Sequence, residues 1–520
     1  MGTQIYFGGT ILTMEEPLVA EAVLVRDGRI ELVGSLQEVS ARRQADTCMV
    51  DLKGKTLLPS FIDPHGHITA FANTLRLAPL EGARDFEEIV RRLRAFGKAN
   101  PLQKGDWIIG FGYDHNLLAE GRHPNRALLD QVSAENPVMI THKSGHMGVL
   151  GSMALQAAGV SADMPDPEGG RIGREPDGKT PDGYLEETAF IRCASAVPAP
   201  SQEEMLRLLE KAQQAYLQYG ITTAQEGKMQ QREYEVLRAA AERGRLSIDI
   251  VGYADMQAGP EFAEEIREAV GRDWNGFKVG GYKIFLDGSP QGRTAWLSQP
   301  YEGAEDGYRG YPVYNDGQVR AFVQKAVSEN AQLLAHCNGD AAVDQFLQAF
   351  EQVCPEKERA VAVRPVVIHA QTMRPDDQLD RARQFGMIPS FFVAHTWFWG
   401  DVHLKNLGRR AEHISPAKSA ARKGMVFTFH QDTPVVAPDM LFTVWCAVNR
   451  VTKEGVKLGR GECVSPLEAL QAVTIHAAYQ YFEEARKGSI RAGSRPIPGA
   501  RPKSADVATR RSKTFSGCDD

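Results

Sequence analysis

The sequence predicts an α/β protein built on a TIM-type (β/α)8 barrel, with a large insertion after the first strand and a small β-sandwich domain from the terminal segments. Apolar runs alternate with helical segments such as SQEEMLRLLEKAQQAYLQYG, the pattern of a parallel sheet with helical crossovers. The runs are TLLPSFID, GITTAQE, IDIVGYAD, GYKIFLD, LLAHCNG, RPVVIHAQ, MIPSFFVAHT and MVFTFHQD. Eight such strands in about 370 residues are typical of a TIM-type barrel.

The segments around these runs predict the domain organisation. The N-terminal part is rich in short strands with Gly and Asp-Gly turns. The first barrel crossover is too long for one helix, and it contains apolar segments of its own, DWIIGFGYD and NPVMITHKSGHMGVL. We therefore expect a small β-domain that begins with residues 1–58 and a barrel over residues 59–474, with an insertion at about 70–200. Residues 475–494 should return to the small domain, and residues 495–520 should form a disordered tail.

Composition narrows the class of protein. The 520 residues are 42% hydrophobic and 24% charged, an ordinary globular balance. The net charge of -6 is spread along the chain, and no apolar run reaches membrane-spanning length, so we expect neither a nucleic-acid nor a membrane partner. The start of the sequence lacks the pattern of a secretory signal, and the seven cysteines form no CxxC pair. These features predict a cytoplasmic protein. The partner that we expect is a small-molecule substrate, which follows from the candidate site residues below rather than from composition, and a homodimer stays open.

Two histidines follow the first barrel run in the stretch DPHGH. In an extended strand residues i and i+2 point the same way, so His65 and His67 are expected to project together. A TIM barrel builds its active site at the C-terminal ends of its strands, and two imidazoles there can hold one metal ion. Taken alone, the pair is equally consistent with surface or core histidines that bind nothing.

Further ligand-type residues occupy later strands. Lys283 lies within the apolar run GYKIFLD, where an unpaired ammonium would be costly. His336, His369 and Asp432 come at or near the ends of three more runs. Each has an ordinary alternative, as a core histidine, a snorkelling lysine or a helix-capping aspartate. Their occurrence on successive strands favours one shared metal site.

The pattern resembles the metal-dependent amidohydrolase superfamily, and within it amidohydrolase family 3, which includes YtcJ-like proteins and N-substituted formamide deformylases. The resemblance extends from residue 1 to about 490. It rests on LLPSFIDPHGH, GYKIFLDGSPQGRTAWLSQPY, LLAHCNGDAAVDQ, VVIHAQ, FHQDTPV and PLEALQAVTIHAAYQYF.

The resemblance implies a divalent metal cofactor, zinc first among the candidates, with one or two ions bound. His65 and His67 would bind a first ion and His336 and His369 a second. Lys283, as an N6-carboxylated lysine, would bridge the two ions. Carboxylation would also account for the buried amine, because it converts the amine into an anion that the cations compensate.

The resemblance gives Asp432 two roles, as a ligand of the first metal and as the catalytic general base. A carboxylate within reach of a metal-activated water can take its proton and pass it to a leaving nitrogen.

Six further residues are candidates for substrate binding. The stretches GYDHN, SGHMG and PDGYLEETA look like pocket-lining motifs of the family, so they could orient substrate or be locally satisfied loops. Arg293 could bind a substrate carboxylate or pair with Asp287. One of the histidines precedes Asp432 where relatives carry a small residue, and another follows the seventh strand. The candidates are Asp114, His146, Glu187, Arg293, His395 and His430.

Beyond about residue 490 the sequence departs from the family. Relatives continue with a strand that completes the small β-domain, whereas here the chain becomes rich in Arg, Ser and Pro. Two interpretations stand: a natural disordered tail and an altered reading frame.

The candidate metal ligands and the family resemblance together predict a metal-dependent hydrolase that cleaves a C–N bond in an amide, N-acyl or N-formyl group. The first alternative is a cyclic amidine deaminase. Deaminases of the superfamily resemble one another in lacking the lysine on strand four and in carrying HxxE after strand five. Here Lys283 is present and Gly339 stands in place of that glutamate, which favours the amidase. The second alternative is a non-catalytic regulatory or binding descendant of the same fold.

Overall fold

A computed structural model of the chain describes residues 2–100, 102–143 and 145–493. These residues form two compact units: one comprises the described residues up to Phe71 and from Leu209 onward, and the other is Ala72–Leu208. The predicted tail, 495–520, lies outside the described residues, and none of the described helices is long and apolar enough to cross a membrane.

The N-terminal segment forms a mixed five-stranded sheet. Its strands are β1 (Gln4–Leu12), β2 (Val19–Arg26), β3 (Arg29–Gly34), β4 (Cys48–Asp51) and β5 (Thr56–Leu57). The order is β3-β2-β1-β4, with β5 also paired to β1. Helix α1 (Leu36–Ser40) follows β3, and a capping box between Ser35 and Glu38 begins it.

The end of the described chain packs against this sheet. The Ile490 side chain joins an apolar cluster of the sheet, and its backbone N donates to the Thr13 carbonyl at 2.8 Å. Within the described part of the chain, no strand follows residue 429. The other buried members of the cluster are Ile11, Ala20, Val23 and Ile30.

Strand β6 (Phe61–Ile62) and helix α2 (Ile68–Thr74) come next, and the inserted unit follows. This unit has a six-stranded sheet of order β11-β12-β10-β9-β8-β7, in which β7, β8 and β9 are parallel. The strands are β7 (Leu77–Pro79), β8 (Ile108–Tyr113), β9 (Val138–His142), β10 (Met147–Leu150), β11 (Gly170–Arg174) and β12 (Pro181–Glu186). The helices are α3 (Phe86–Ala99), α4 (Arg126–Leu129), α5 (Ser152–Ala157) and α6 (Glu187–Ala194).

Helix α7 (Gln202–Gln218) leads into the remaining strands. These are β13 (Ile221–Met229), β14 (Asp249–Asp255), β15 (Asp273–Trp274), β16 (Phe277–Phe285), β17 (Gln332–Cys337), β18 (Val366–His369), β19 (Ile388–Phe391) and β20 (Thr428–Phe429). With β6 they form a sheet of order β20-β19-β18-β17-β16-β14-β13-β6, which is parallel throughout, while the short β15 pairs antiparallel to β16. The parallel strands coincide with the eight predicted apolar runs, so the predicted α/β class and TIM-like sheet are confirmed. The sheet is curled into a half-barrel.

Helices connect the strands of this sheet. They are α8 (Gln231–Glu242), α9 (Pro260–Ala269), α10 (Asp316–Ser328), α11 (Asp340–Val353), α12 (Glu358–Val363), α13 (Gln378–Gln384), α14 (His395–Phe398), α15 (Gly400–Leu407), α16 (Ala417–Arg422), α17 (Met440–Asn449), α18 (Pro466–Ala472) and α19 (Ile475–Gln480). Single 3-10 turns lie at Glu305–Gly307, Gly408–His413 and Arg460–Glu462.

The interior of the curled sheet is apolar, and its two outer strands are joined at one end. Buried side chains from β6, β14, β17, β18 and β19 form one apolar cluster in this interior.

The loops that follow the two outer strands contact each other. The Asp432 backbone N donates to the His65 carbonyl at 3.2 Å, and the His67 backbone N donates to the Thr433 carbonyl at 2.8 Å. These two bonds join the loops that follow β6 and β20, which brings the predicted ligands together.

Candidate metal centre

The two histidines of the DPHGH stretch lie in the loop after β6. His65 is fully enclosed, at 1% exposure, and its Nδ1 lies 2.6 Å from Gln225 Oε1 on β13. That contact occupies one ring nitrogen, and the other, Nε2, lies 3.5 Å from Asp432 Oδ1. His67 Nε2 is 3.4 Å from the same oxygen. Both imidazoles therefore face one carboxylate oxygen.

Asp432 supplies that oxygen from the loop after β20. Its φ of 53° lies in the left-handed region, an unfavourable conformation that a non-glycine residue holds only where its surroundings impose it. Oδ1 is buried and has no hydrogen-bond partner among the described residues. Ligand atoms of His65, His67 and Asp432 all lie within 4.8 Å of one another. Two imidazoles and an unsatisfied carboxylate oxygen fit a divalent cation such as zinc.

Lys283 lies beside this group on β16. It is 0% exposed, and its Nζ is 3.4 Å from His65 Nε2. Burial lowers the pKa of the Lys283 amine to about 7, against the opposing charge of Asp432. A large fraction of the amine is therefore neutral at physiological pH, which is the form that can act as a nucleophile or a ligand.

His369 approaches the same carboxylate from β18, and the His336 ring on β17 lies next to His369. His369 ends β18 with a φ of 72°, and its Nε2 lies 3.9 Å from Asp432 Oδ2. The His336 ring is 4.6 Å from the His369 ring, but the His336 Nδ1 lies 3.2 Å from Asp287 Oδ1. The Asp287 carboxylate also accepts from backbone nitrogens, including that of Gly339 at 2.6 Å. It therefore holds the His336 ring from one side.

Burial and charge set the protonation of these groups. Burial holds the pKa values of His65 and His369 well below their usual value, so both imidazoles are neutral. Although burial raises the pKa of Asp432, His67 and the other nearby imidazoles bring it well below its usual value. Burial lowers the pKa of His67, but Asp432 and Glu226 outweigh it and raise the value to about 9. A bound cation has to displace that proton, because only a neutral imidazole is a ligand.

The three candidate substrate residues of the barrel have well-defined contacts. His430 is buried and contacts two side chains. Its Nε2 lies 3.1 Å from His369 Nδ1, and its Nδ1 lies 2.8 Å from Ser390 Oγ. Burial lowers the pKa of His430 to about 3. His395 is buried, and its ring centroid lies 4.6 Å from that of Phe392. Their substrate roles stay predictions.

Arg293, the third of them, does not use Asp287 as its partner. Its Nε donates to Asn406 Oδ1 at 3.2 Å and its guanidinium also donates to the Glu302 carbonyl. Its φ is 58°, and its guanidinium lies 5.6 Å from the centre of the Tyr301 ring. The role of Arg293 in binding a substrate carboxylate stays a prediction.

The three candidates of the insertion lie within the inserted unit. Asp114 is buried at the end of β8 and forms an ion pair with Lys143. His146 Nδ1 lies 3.0 Å from Glu187 Oε2, and both side chains are more than half exposed. Their substrate roles also stay predictions.

The strand β13 supplies two polar contacts that the sequence analysis missed. Glu226, 2% exposed, places Oε1 3.7 Å from His67 Nδ1, and its other oxygen accepts from the Thr69 backbone N at 3.0 Å. Gln225 is the residue that contacts His65 Nδ1. Both lie in the second apolar run, GITTAQE, so the strand-end criterion that found the histidines would also have found them.

An eight-stranded parallel α/β sheet with histidines and an aspartate gathered at the C-terminal ends of its strands defines a metal-dependent hydrolase. The chain belongs to the amidohydrolase family Amidohydro_3, whose pattern matches residues 49–495. The predicted family is thereby confirmed.

Individual relatives support the same assignment. The chain is 28% identical to the putative amidohydrolase YtcJ of Bacillus subtilis, over 94% of this chain and 92% of that protein. It is also 28% identical to an N-substituted formamide deformylase of Arthrobacter pascens, over 92% and 89%. Among solved structures, an uncharacterized metal-dependent hydrolase of Pyrococcus horikoshii superposes with a TM-score of 0.75 at 25% identity, covering 95% of this chain and 96% of that one.

Proposed function

We propose that this amidohydrolase cleaves the C–N bond of an amide, N-acyl or N-formyl group. The observation that carries the proposal is the Asp432 carboxylate, whose Oδ1 atom is buried, has no hydrogen-bond partner in the described part of the chain and lies within 3.5 Å of two imidazole nitrogens. The imidazoles and this oxygen could bind a cation, and the same carboxylate could serve as the general base beside it. In metal-assisted hydrolysis of a C–N bond, the cation activates the water and the base takes its proton.

The residues that would hold the cation are His65, His67 and Asp432, with Lys283 and His369 next to them. A bound divalent ion lowers the pKa of water and polarises a carbonyl group. Asp432 accepts the proton of the attacking water, because its low pKa keeps it ionised. The same carboxyl group then returns the proton to the leaving nitrogen, which would otherwise depart as an unstable amide anion.

Two features favour amide or formamide cleavage over deamination of a cyclic amidine. Lys283 is buried within reach of His65, and the residue three positions after His336 is Gly339 rather than a glutamate. A Cβ on Gly339 would lie 1.9 Å from the Trp296 carbonyl oxygen, so an acidic side chain does not fit at this position without local rearrangement. The similarity to an N-substituted formamide deformylase adds support for the N-formyl class.

The test is a turnover assay of purified protein in metal-loaded, chelated and reloaded forms. The substrates are N-acyl amino acids, N-formyl amines, cyclic ureides and a cyclic amidine. We expect release of amine and carboxylate from one of the first two classes, loss of turnover on chelation and its recovery with zinc. Ammonia release from the amidine alone would establish the deaminase instead. Undiminished turnover in protein shown to be metal-free would contradict metal dependence.

A matched variant guards against a contaminating hydrolase. His65→Ala removes a proposed ligand and should lose both metal and turnover. His413→Gln changes an exposed histidine in the 3-10 turn Gly408–His413, and it should retain both. Full metal content without turnover on any substrate of the panel would favour the non-catalytic descendant.

A further inference from the structure

A second group of ligand-type side chains lies at the edge of the sheet of the inserted unit. Strands β8 and β9 are adjacent and parallel, and Tyr113 at the end of β8 pairs with His142 at the end of β9. Asp114 and His115 directly follow β8. Because the carboxyl ends of neighbouring parallel strands meet at one edge, these side chains come together there. None of them belongs to the barrel site.

The distances within this group are those of a preformed cation site. Asp114 Oδ1 lies 3.6 Å from His142 Nε2 and 4.0 Å from His115 Nδ1. One ligand atom from each residue lies within 4.8 Å of the others. A single ion at the centre of such a triangle could contact all three after small side-chain movements, since zinc–nitrogen and zinc–oxygen bonds are about 2 Å long.

Several polar atoms of this group are buried, which favours binding of a cation. Asp114 is 5% exposed and His142 6% exposed. The Nδ1 atom of His115 is buried and makes no hydrogen bond to any residue that the structure describes. A buried polar atom without a partner costs free energy, and a cation would give the His115 nitrogen a partner.

Further rings pack against this group. The His123 ring stacks on His115 with ring centroids 4.0 Å apart, and the Tyr113 hydroxyl lies 3.0 Å from His123 Nδ1. The ring centroids of His115 and His142 are 5.4 Å apart. These contacts hold the two proposed imidazole ligands side by side at the edge of the sheet.

Lys143 partly neutralises the negative charge of Asp114, which a bound cation would otherwise do. Lys143 forms an ion pair with the other oxygen of Asp114, while its side chain remains 59% exposed. Asn116 donates to Oδ1 from its backbone and its side chain, both at 3.0 Å. The carboxylate is thus fixed in position by the loop, and the competing charge of Lys143 is exposed at the surface.

We propose that Asp114, His115 and His142 form a second metal site, in the inserted unit, for a borderline divalent cation such as Zn²⁺. Two imidazole nitrogens and one carboxylate oxygen are a ligand set that zinc accepts, with a water or another ligand completing four-coordination. The ion would tie the end of β8 to the end of β9. Its role is structural in the inserted unit, and it gives Asp114 a function other than orienting substrate.

The first experiment counts bound metal. Wild-type protein and variants are dialysed to equilibrium against buffered, low-micromolar free Zn²⁺, and zinc per chain is measured by mass spectrometry. His142→Gln should bind one ion fewer than wild type, and His413→Gln should match wild type. His65→Ala should lose zinc independently, so that the double variant shows both losses. Equal zinc content in His142→Gln and wild type would overturn the proposal.

A second variant decides the question even if His142→Gln does not fold. Lys143→Gln alters an exposed side chain and removes the competing cation, so the zinc dissociation constant of this site should fall about fivefold. A merely structural ion pair between Lys143 and Asp114 would have no such effect, and an unchanged or weaker zinc affinity would overturn the proposal. Neither experiment measures turnover, so failure of the proposed hydrolase activity would not affect the result.

Discussion

Asp432 is the residue on which the proposed chemistry depends most directly. Replacing it with Asn keeps the size and one carbonyl ligand, but the amide cannot accept a proton from water at neutral pH. We expect kcat to fall by at least about 100-fold, because general-base catalysis contributes roughly 10²–10⁴-fold. Steady-state kinetics and metal analysis of the same preparation would test this expectation.

The control for Asp432→Asn is His65→Ala, which should lose metal and turnover together. If Asp432→Asn keeps its metal and near wild-type turnover, the carboxylate takes no part in the reaction. If its metal loss parallels its turnover loss, Asp432 is a ligand only.

His430 is expected to act on the metal centre through His369, a role separate from the predicted contact with substrate. Its Nε2 lies 3.1 Å from His369 Nδ1, which leaves Nε2 of His369 to face Asp432. Partners of this kind typically change metal affinity by about 10–100-fold when removed. His430→Ala should therefore weaken zinc binding within that range, measured by competition with a chromophoric chelator.

Ser390→Ala is the matched control for His430→Ala. It removes the contact on the far side of the His430 ring, at 2.8 Å from Nδ1, and should weaken zinc binding less. Unchanged zinc affinity in His430→Ala would show that the ring contact has no effect on the metal centre.

At this scale, residue type and position on the strands predicted much of the site. His65, His67 and Asp432 stand out in the sequence because polar residues end apolar runs there. Glu226 went unnoticed because the run GITTAQE contains four polar residues, although the structure buries all four. The neighbours of Arg293 could not be predicted, since its partners are a backbone carbonyl and a distant asparagine.

At the scale of single elements, α15 carries a pH-sensitive feature. His403 is completely buried in this helix, with its Nε2 3.1 Å from His395 Nδ1. Burial lowers the pKa of His403 from 6.5 to about 4. The unfolded chain therefore binds a proton between these values that the folded chain does not. Stability should fall as pH drops from 6.5 to 4, by at most about 1.4 kcal/mol per pH unit from this residue.

The measurement is the free energy of unfolding by urea at several pH values. His403→Gln should show a shallower decline between pH 6.5 and 4 than wild type, because Gln does not titrate. His413→Gln, at an exposed position, should follow the wild-type slope. Identical slopes in all three proteins would show that His403 does not contribute.

The elements themselves were predictable in proportion to their apolar periodicity. All eight barrel strands follow from apolar runs, and β8, β9 and β10 fall in the apolar segments noted within the insertion. Strands β7, β11 and β12 were not anticipated. β11 reads GRIGR and β12 reads PDGYLE, so local composition favours turns, and pairing with neighbouring strands determines their structure.

At the scale of the whole molecule, the N-terminal sheet depends on residues near the other end of the chain. Ile490 is 6% exposed in the apolar cluster of that sheet. Ile490→Ala should lower the free energy of unfolding by about 2–5 kcal/mol, because it removes buried methyl groups and leaves a cavity. Chemical denaturation followed by circular dichroism would measure the change.

Val19→Ala serves as the control, because Val19 lies in β2 of the same sheet but is 53% exposed. We expect its effect to stay within about 0.5 kcal/mol. A comparable loss in both variants, or none in Ile490→Ala, would show that the C-terminal segment does not stabilise the sheet.

The number and order of the parallel strands were predictable for the whole molecule, because each strand carries its own apolar signal. The contact between the loops that follow the two outer strands, β6 and β20, was not predictable. That depends on backbone hydrogen bonds between loops, such as the one from His67 N to the Thr433 carbonyl, which no side-chain pattern encodes.

The same loop contact has a consequence for biosynthesis. His65 leaves the ribosome early, whereas Asp432 follows only after most of the chain has been translated. A nascent chain therefore carries two exposed imidazoles for a long time without the carboxylate that completes their site. Under the proposed function, metal capture at this centre would depend on completion of the sheet, and fragments that stop before β20 should lack both the ion of this centre and hydrolytic activity.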